Sequence, residues 1–529
     1  MIENISPISN WLKLGSIGGI STDVVLVISA LVLTIAWRSF TTSLHGGKPL
    51  PPGPASVPFI GNMFAMPATG KEMGVFASWA KKWGPIVHIK TFGRHVVVLN
   101  TLKAANELLE RRSNIYSDRP ARSGLADSVS TLPFNQQLKD CRRLLHQALN
   151  PRSTKVYRPG NEEQVRLMLR RLLQTPEAFV EHIRRSAGAT IMKVAYDYDV
   201  TSDDDRFIAL AEGYSTAFST VTAPSAFWVD FIPFLEHLPD WVPGASLKRM
   251  VRSFPDLQIR IRIEPYGYTM EQMAKKTNGV SFISTVADNH GGLDKMSETE
   301  LEALRWAASA FYGAGTGTTV SVISWFILAM CLFPEVQKKA QAEIDSVVGN
   351  AKLPGFVDRP ELTYIEAMCK ETLRWNCVLP GALTHAINTH DEYEGYHIPP
   401  SAVIANMRAM TRDEKEYNDP HIFRPERFLG PLDDQEKDAR SYAYGFGRRI
   451  CPGLNIANDA IYINIVSLLA TFNFSNAMTP NGVPITPLTV QGTGGLIHFP
   501  VKYKCSITPR SERAKEMIYE ATEELARYL

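Results

Sequence analysis

An excess of charge of either sign is the first thing this chain lacks. Lys and Arg number 56 against 54 Asp and Glu, a formal net charge of +2. No long basic or acidic block breaks that balance, which argues against a nucleic-acid-binding stripe or a charged disordered tail. Cysteine is sparse: six in 529 residues, at 141, 331, 369, 377, 451 and 505. No spacing among them suggests a zinc site or a disulfide framework, and scattered thiols suit a reducing compartment. Internal repeats and low-complexity tracts are missing too. What is present is 45% hydrophobic and 21% charged, ordinary for a chain that folds around a core.

The N-terminal part carries an uncharged apolar run, Val24 to Trp37. Extended back to Gly15 it reaches the roughly 20 residues that a membrane span needs, at the cost of including Asp23. A cleaved signal would start with basic residues and end at a small-residue cleavage site, and neither is seen. Arg38 and Lys48 follow, then the Pro-rich stretch Lys48 to Pro54. The expected order is a membrane anchor over 1–40, a stiff Pro-rich hinge over 41–60 and a catalytic body over 48–529. The basic flank puts that body on the cytosolic side. The sequon Asn4-Ile5-Ser6 would then be luminal and open to glycosylation. The sequon Asn473-Phe474-Ser475, inside the body, would stay unmodified.

Within the body, Ile86 to Leu99 reads as a β-hairpin turning at Gly93. A helix is expected around Lys139 to Leu149, and mostly helical patterning runs on to about residue 290. One stretch, Ala223 to Pro243, is apolar and Pro-studded, with Phe227, Trp228, Phe231, Phe234 and Trp241. Core packing is its first reading; a bilayer-dipping surface or a substrate entrance is the other. Ser297 and Glu300 form a capping box. It opens a helix that runs to about Leu332, before Pro334, roughly 50 Å at 1.5 Å per residue. Gly313, Gly315 and Gly317 alternate in its middle, followed by Thr318 and Thr319. Each interior glycine costs about 1 kcal/mol relative to alanine. Three of them imply close approach to the backbone or a kink. Pro334 suits the first turn of a next helix ending at Gly349. Glu371 and Arg374, three apart, share one helix face. Asn455 to Thr471 reads as a helix, and Ser511 to Leu529 as a surface helix.

The densest signal is Tyr444-Gly-Phe-Gly-Arg-Arg-Ile-Cys-Pro-Gly453. Glycines bring a backbone close beneath a flat ligand, and the loop aims the Cys451 thiolate at it. This loop resembles the haem-binding loop of the cytochrome P-450 family, Phe-x-x-Gly-x-Arg-x-Cys-x-Gly. Gly447, Arg449, Cys451 and Gly453 match; Tyr444 replaces the first Phe. The order of motifs matches as well: Glu371-x-x-Arg374, then Phe423-Arg-Pro-Glu-Arg-Phe428, then the cysteine loop. The glycine-rich helix is similar to the family's Ala/Gly-Gly-x-Asp/Glu-Thr-Thr, with Gly317 where the carboxylate belongs. Leu138 stands in the Trp place of Trp-x-x-x-Arg142. Ala386 stands where the family often has Arg after His, so that a third basic contact is expected to be lost; His385 is expected to make a structural hydrogen bond.

The resemblance implies one mainly α domain with small β-sheets over 48–529, although length alone would allow about two to four domains. It implies haem b with Cys451 as axial thiolate, a ligand that favours O–O cleavage. By the same resemblance Arg142, Arg449 and Gly315 contact the haem, and Thr318 serves catalysis on the distal side. Glu371, Arg374 and Arg427 form a buried network that holds the loop. The resemblance is to microsomal members, with several stretches most like fungal secondary-metabolite enzymes. It implies a monooxygenase of the endoplasmic reticulum membrane that oxidises an apolar small molecule such as a terpenoid and takes electrons from NADPH-cytochrome P-450 reductase. Two alternatives stay open: a haem-thiolate isomerase or dehydratase that needs no dioxygen, which the missing acid at Gly317 keeps in view, and a non-catalytic haem or lipid binder.

Overall fold

Apolar residues recur at helical spacing through most of the body, and the chain is helical where they do. The computed structural model describes residues 26–29, 31, 47–68, 70–120, 128–202, 204–222, 246–485 and 490–525. Most of the expected anchor, the Asn4 sequon and the aromatic stretch Ala223–Pro243 lie outside them. The longer helices are α1 Glu72–Trp83, α2 Gln136–Leu149, α3 Arg158–Gln174, α4 Phe179–Tyr196, α5 Arg206–Thr222 and α6 Ser246–Lys275. They continue with α7 Phe282–His290, α8 Glu298–Leu332, α9 Pro334–Val347, α10 Thr363–Trp375, α11 Leu454–Thr471 and α12 Glu512–Thr522.

The described chain forms two units. The main one comprises Pro52–Asn388 and Pro400–Leu529, the small one Met1–Pro51 and Thr389–Pro399. In the small unit, β4 Asp391–Tyr393 and β5 Tyr396–Ile398 pair as a hairpin. His397 donates its N–H to the Pro49 carbonyl at 2.9 Å, and Lys48 pairs with Glu392. In the main unit the expected hairpin is β1 Ile86–Thr91 and β2 Arg94–Leu99. The sheet order is β1-β2-β6-β3, with β3 His385–Ile387 and β6 Ser401–Ala405. Its β2–β6 pair is parallel and in register Val96↔Ala402. A second sheet joins β7 Phe472–Met478 to β8 Pro484–Ile485 and β9 Cys505–Pro509.

Helix α8 runs without interruption from its capping box, in which Ser297 and Glu300 bond each other's backbone. Its C-terminal half, Val320 to Cys331, is buried along with residues of α3, α4, α10 and α11. Among the described residues α8 and α11 are long and apolar enough to cross a membrane, yet both are mostly buried in the fold. The glycines do not interrupt α8, and they let neighbours in. A Cβ at 313 would lie 2.6 Å from the Tyr214 ring, and one at 315 would lie 2.4 Å from Cδ1 of Ile191 on α4. At 317 the neighbours are Ile497 at 3.1 Å and the Ser215 hydroxyl at 3.6 Å. The propensity lost at Gly313 and Gly315 is offset by helix packing closer than side chains permit.

Helix α10 carries the buried ion network. Arg374 donates from Nε to Glu371 Oε2 at 2.6 Å and from Nη2 to Oε1 at 2.8 Å, and both side chains are 0% exposed. Its Nη1 reaches the carbonyls of Thr411 and Pro420 at 2.9 and 2.8 Å. Arg427 donates to Glu371 at 3.2 Å and pairs on its other side with Glu436. Glu436, which the motifs did not mark, gives the second guanidinium its own carboxylate. Every charge in the cluster is therefore paired, the condition on which buried ions persist.

Two stability changes are expected. Gly315→Val should cost at least ~1–3 kcal/mol through overpacking. Adding Ile191→Ala should return part of that loss in urea titrations, whereas purely additive effects would refute the contact. Arg427→Met should cost ~1–3 kcal/mol by removing charge-assisted bonds to Glu371 and Glu436, which keep Arg374 and Arg424 as partners, read from the same titration.

Candidate haem-thiolate site

The cysteine loop is set by backbone contacts. Gly447 sits at φ +54°, and a Cβ there would lie 2.4 Å from the Leu109 carbonyl oxygen, so that only glycine fits. Its N–H donates to the Glu110 carboxylate. The Cys451 N–H closes the loop on the Tyr444 carbonyl at 2.8 Å. The Tyr444 hydroxyl donates to Asn458 of α11 at 2.8 Å, a bond that Phe could not make. Helix α10 holds the approach to the loop twice. Glu371 accepts the Arg424 N–H at 2.8 Å, and Glu366 accepts from Arg440 at 2.5 Å. Burial raises the Cys451 thiol pKa; the Gly453 N–H and the Arg142 charge oppose that rise. A thiolate there needs a positive partner.

Cys451 opens into an apolar cavity whose far wall is α8. Leu145, Ile183, Ile191 and Phe311 line it, and Gly315, Thr318 and Thr319 face the same space. The expected distal residues and the cysteine thus share one cavity. Thr318 donates its hydroxyl proton to the Ala314 carbonyl at 2.8 Å and also lines a second cavity with Tyr214, Ser215 and Leu383. Gly317 does not line the Cys451 cavity. It opens the other way, into a space with Arg184, Glu212 and Thr316. Residues 490–498 line three cavities; 486–489 lie outside the described residues.

Three arginines gather at the edge of the cysteine loop. Arg449 donates from Nε to the Ser117 carbonyl at 2.7 Å and from Nη2 to the Leu132 carbonyl at 2.6 Å. Its Nη1 is buried without a hydrogen-bond partner, as is the Ser117 hydroxyl. Arg142 donates to the Ile450 carbonyl at 2.9 Å, so that part of its fork already braces the loop. Arg119, which sequence reasoning passed over, donates to Leu383, Thr384 and Ser130 carbonyls at 2.7, 2.8 and 3.0 Å. Burial and the charges of Arg449 and Arg142 press its pKa down to about 9. Burial, with the Arg142 charge adding, lowers Arg449 to about 10, while Asp118 opposes the fall. Unspent guanidinium donors in a cluster of like charge call for an anion. The carboxylates of a flat group seated on Cys451 match that demand, so the residues present fit a haem. Arg119 lies close to Ala386, where a basic contact is expected to be lost: it bonds the Thr384 carbonyl, and the Ala386 N–H donates to the Asp118 carbonyl. His385 makes the structural bond expected of it, to the Tyr116 carbonyl at 2.8 Å, and burial lowers its pKa to about 3. Leu138 is buried in the core.

The family model for cytochrome P-450 matches residues 51–498. Cytochrome P-450 monooxygenase 208 of Postia placenta is 38% identical over 481 residues, 89% of this chain and 92% of its own. Cytochrome P-450 monooxygenase claT of Ampulloclitocybe clavipes is 38% identical over 497 residues, covering 93% and 98%. A cysteine loop beneath a glycine-bearing helix, a basic cluster beside it and these likenesses over nearly the whole chain agree: the chain belongs to the cytochrome P-450 family of haem-thiolate monooxygenases.

Proposed function

We propose that Cys451 is the axial ligand of haem b and that Arg449, Arg142 and Arg119 hold its carboxylates. Gly315 and Thr318 then form the distal wall. The reaction inserts one atom of dioxygen into an apolar small molecule, with a terpenoid secondary metabolite as the favoured class. The observation that carries this reading is the shared cavity: Cys451 on one wall, Gly315 and Thr318 on the other, apolar side chains between. A thiolate-ligated haem supplies O–O cleavage chemistry when bound. The chain's own residues do the rest. Leu145, Ile183, Ile191 and Phe311 keep bulk water out and favour an apolar substrate. The Thr318 hydroxyl spends its proton on Ala314, which leaves its lone pairs to accept a proton donor from the cavity.

Oxygen balance sets the partners. Substrate, dioxygen, two electrons and two protons give the alcohol and water. The electrons come from an NADPH-cytochrome P-450 reductase. The proposed setting is the endoplasmic reticulum membrane, with residues 1–40 as anchor, 41–60 as hinge and 48–529 as cytosolic catalytic domain. Asn4 would then lie on the luminal side, open to glycosylation.

With reductase, NADPH and a panel of apolar terpenoids, product oxygen should carry label from 18O2. Turnover that needs neither NADPH nor reductase would favour isomerase or dehydratase chemistry. Cys451→Ser should abolish oxygenation while far-UV circular dichroism stays unchanged. Arg449→Leu should lose a charge-assisted contact of ~1.5–3 kcal/mol, speeding haem transfer to excess apomyoglobin at least about tenfold; an unchanged rate would remove Arg449 from the binding set.

A further inference from the structure

Gly317 lacks the carboxylate of the motif that its helix resembles, and its neighbours supply one from another element. The space it opens into is a cavity of about 280 Å³, room for several waters. At its rim Arg184 of α4 and Glu212 of α5 lie 3.8 Å apart, each about half exposed, with side-chain exposures of 44% and 41%. Inside is the Thr316 hydroxyl, 8% exposed and without a hydrogen-bond partner. Ser215, one turn from Glu212, lines this cavity and also the one that holds Thr318. The Thr318 cavity in turn shares Ala314 and Thr318 with the cavity of Cys451.

The absence of a side chain at 317 helps to make this line. A Cβ at that position would come within 3.6 Å of the Ser215 hydroxyl and 3.1 Å of Ile497, so that a larger residue would crowd the gap between the two cavities. A half-exposed carboxylate can exchange protons with solvent. A buried orphan hydroxyl, in a cavity that Arg184, Glu212, Ser215 and Thr216 also line, is the ordinary sign of resident water.

We propose that Glu212 and Ser215, with waters held by Thr316, form the proton inlet to Thr318 and replace the carboxylate that position 317 lacks. Glu212 acts through water and Ser215, and is a positioning and relay residue rather than one that meets substrate. The inlet rests on the monooxygenase reading, because only a reaction that reduces dioxygen consumes protons along it. Protons enter from solvent at Glu212 and leave as the water formed per turnover; no bond in the relay is permanently made or broken.

The test uses the full-length haem-loaded enzyme with its reductase and an accepted substrate. Glu212→Gln should raise several-fold the share of NADPH electrons released as hydrogen peroxide and enlarge the solvent deuterium isotope effect. Ser215→Ala should move both in the same direction. Glu212→Asp should keep most of the parent coupling. Independently of turnover, a crystal structure of the substrate-free holoenzyme should show ordered water bonded to Thr316 Oγ1 and near Ser215. A dry cavity, or Glu212→Gln with parental coupling and isotope effect, overturns the inlet alone. Failure of the parent enzyme to oxygenate anything with NADPH and reductase overturns the monooxygenase reading instead.

Discussion

Glu371 sits at zero exposure and carries two guanidiniums, those of Arg374 and Arg427. Taking three charges out of water is expensive, and nothing about the pairs alone repays that cost. What the cluster does is fix geometry. Arg374 spends its remaining donors on the carbonyls of Thr411 and Pro420, and Arg427 spends its own on Glu436 and the Asn418 carbonyl at 3.0 Å. A segment with little regular structure, between β6 and the cysteine loop, is thereby tied to α10 at several points. Loops gain precision only when something rigid over-determines them. Here the rigid element is a helix whose next turn, through Glu366, also grips Arg440 just ahead of the loop.

The opposite wall is set by a different kind of constraint. Helix α8 gives up side chains at 313, 315 and 317 so that Tyr214, Ile191 and Ser215 with Ile497 can approach its backbone. Packing decides two of these positions. The third, Gly317, opens onto a mixed cavity in which the hydroxyls of Ser215, Thr216 and Thr316 stand among apolar side chains. One helix thus stands between an apolar cavity that reaches Cys451 and a mixed one that reaches Glu212. That division suits an oxygenation reaction, which needs an apolar substrate on one side and protons from the other.

The proximal side was more legible in the sequence than the distal side, for physical reasons. Gly447, Arg449 and Cys451 act through backbone turns and local spacing, which a short motif records. The capping box at Ser297 and Glu300 and the helix to Leu332 were readable from the same local rules. Glu371, Arg374 and Arg427 could be joined through motif order. Glu436 and Arg119 could not, because their roles depend on chain segments that meet only after folding. Nothing set Arg119 apart in Tyr116-Ser-Asp-Arg-Pro120, because the run lies among other polar residues that include Arg111, Arg112 and Arg122. The glycines of α8 were ambiguous between a kink and close approach, since the neighbours that decide it lie on α4, α5 and the C-terminal segment. Direction was hidden as well: the motif puts Gly317 beside Thr318, yet the two face different cavities.

These constraints converge on one chemical claim, that the loop presents Cys451 as a thiolate to a haem. The carbon-monoxide difference spectrum of the reduced protein tests it most directly, because the Soret position reports the ligand opposite carbon monoxide. The expected result is the long-wavelength band of thiolate-ligated ferrous haem in the parent protein and its loss in Cys451→Ser. A band at the position of a neutral-ligand haem in the parent, or one that Cys451→Ser leaves in place, would contradict it.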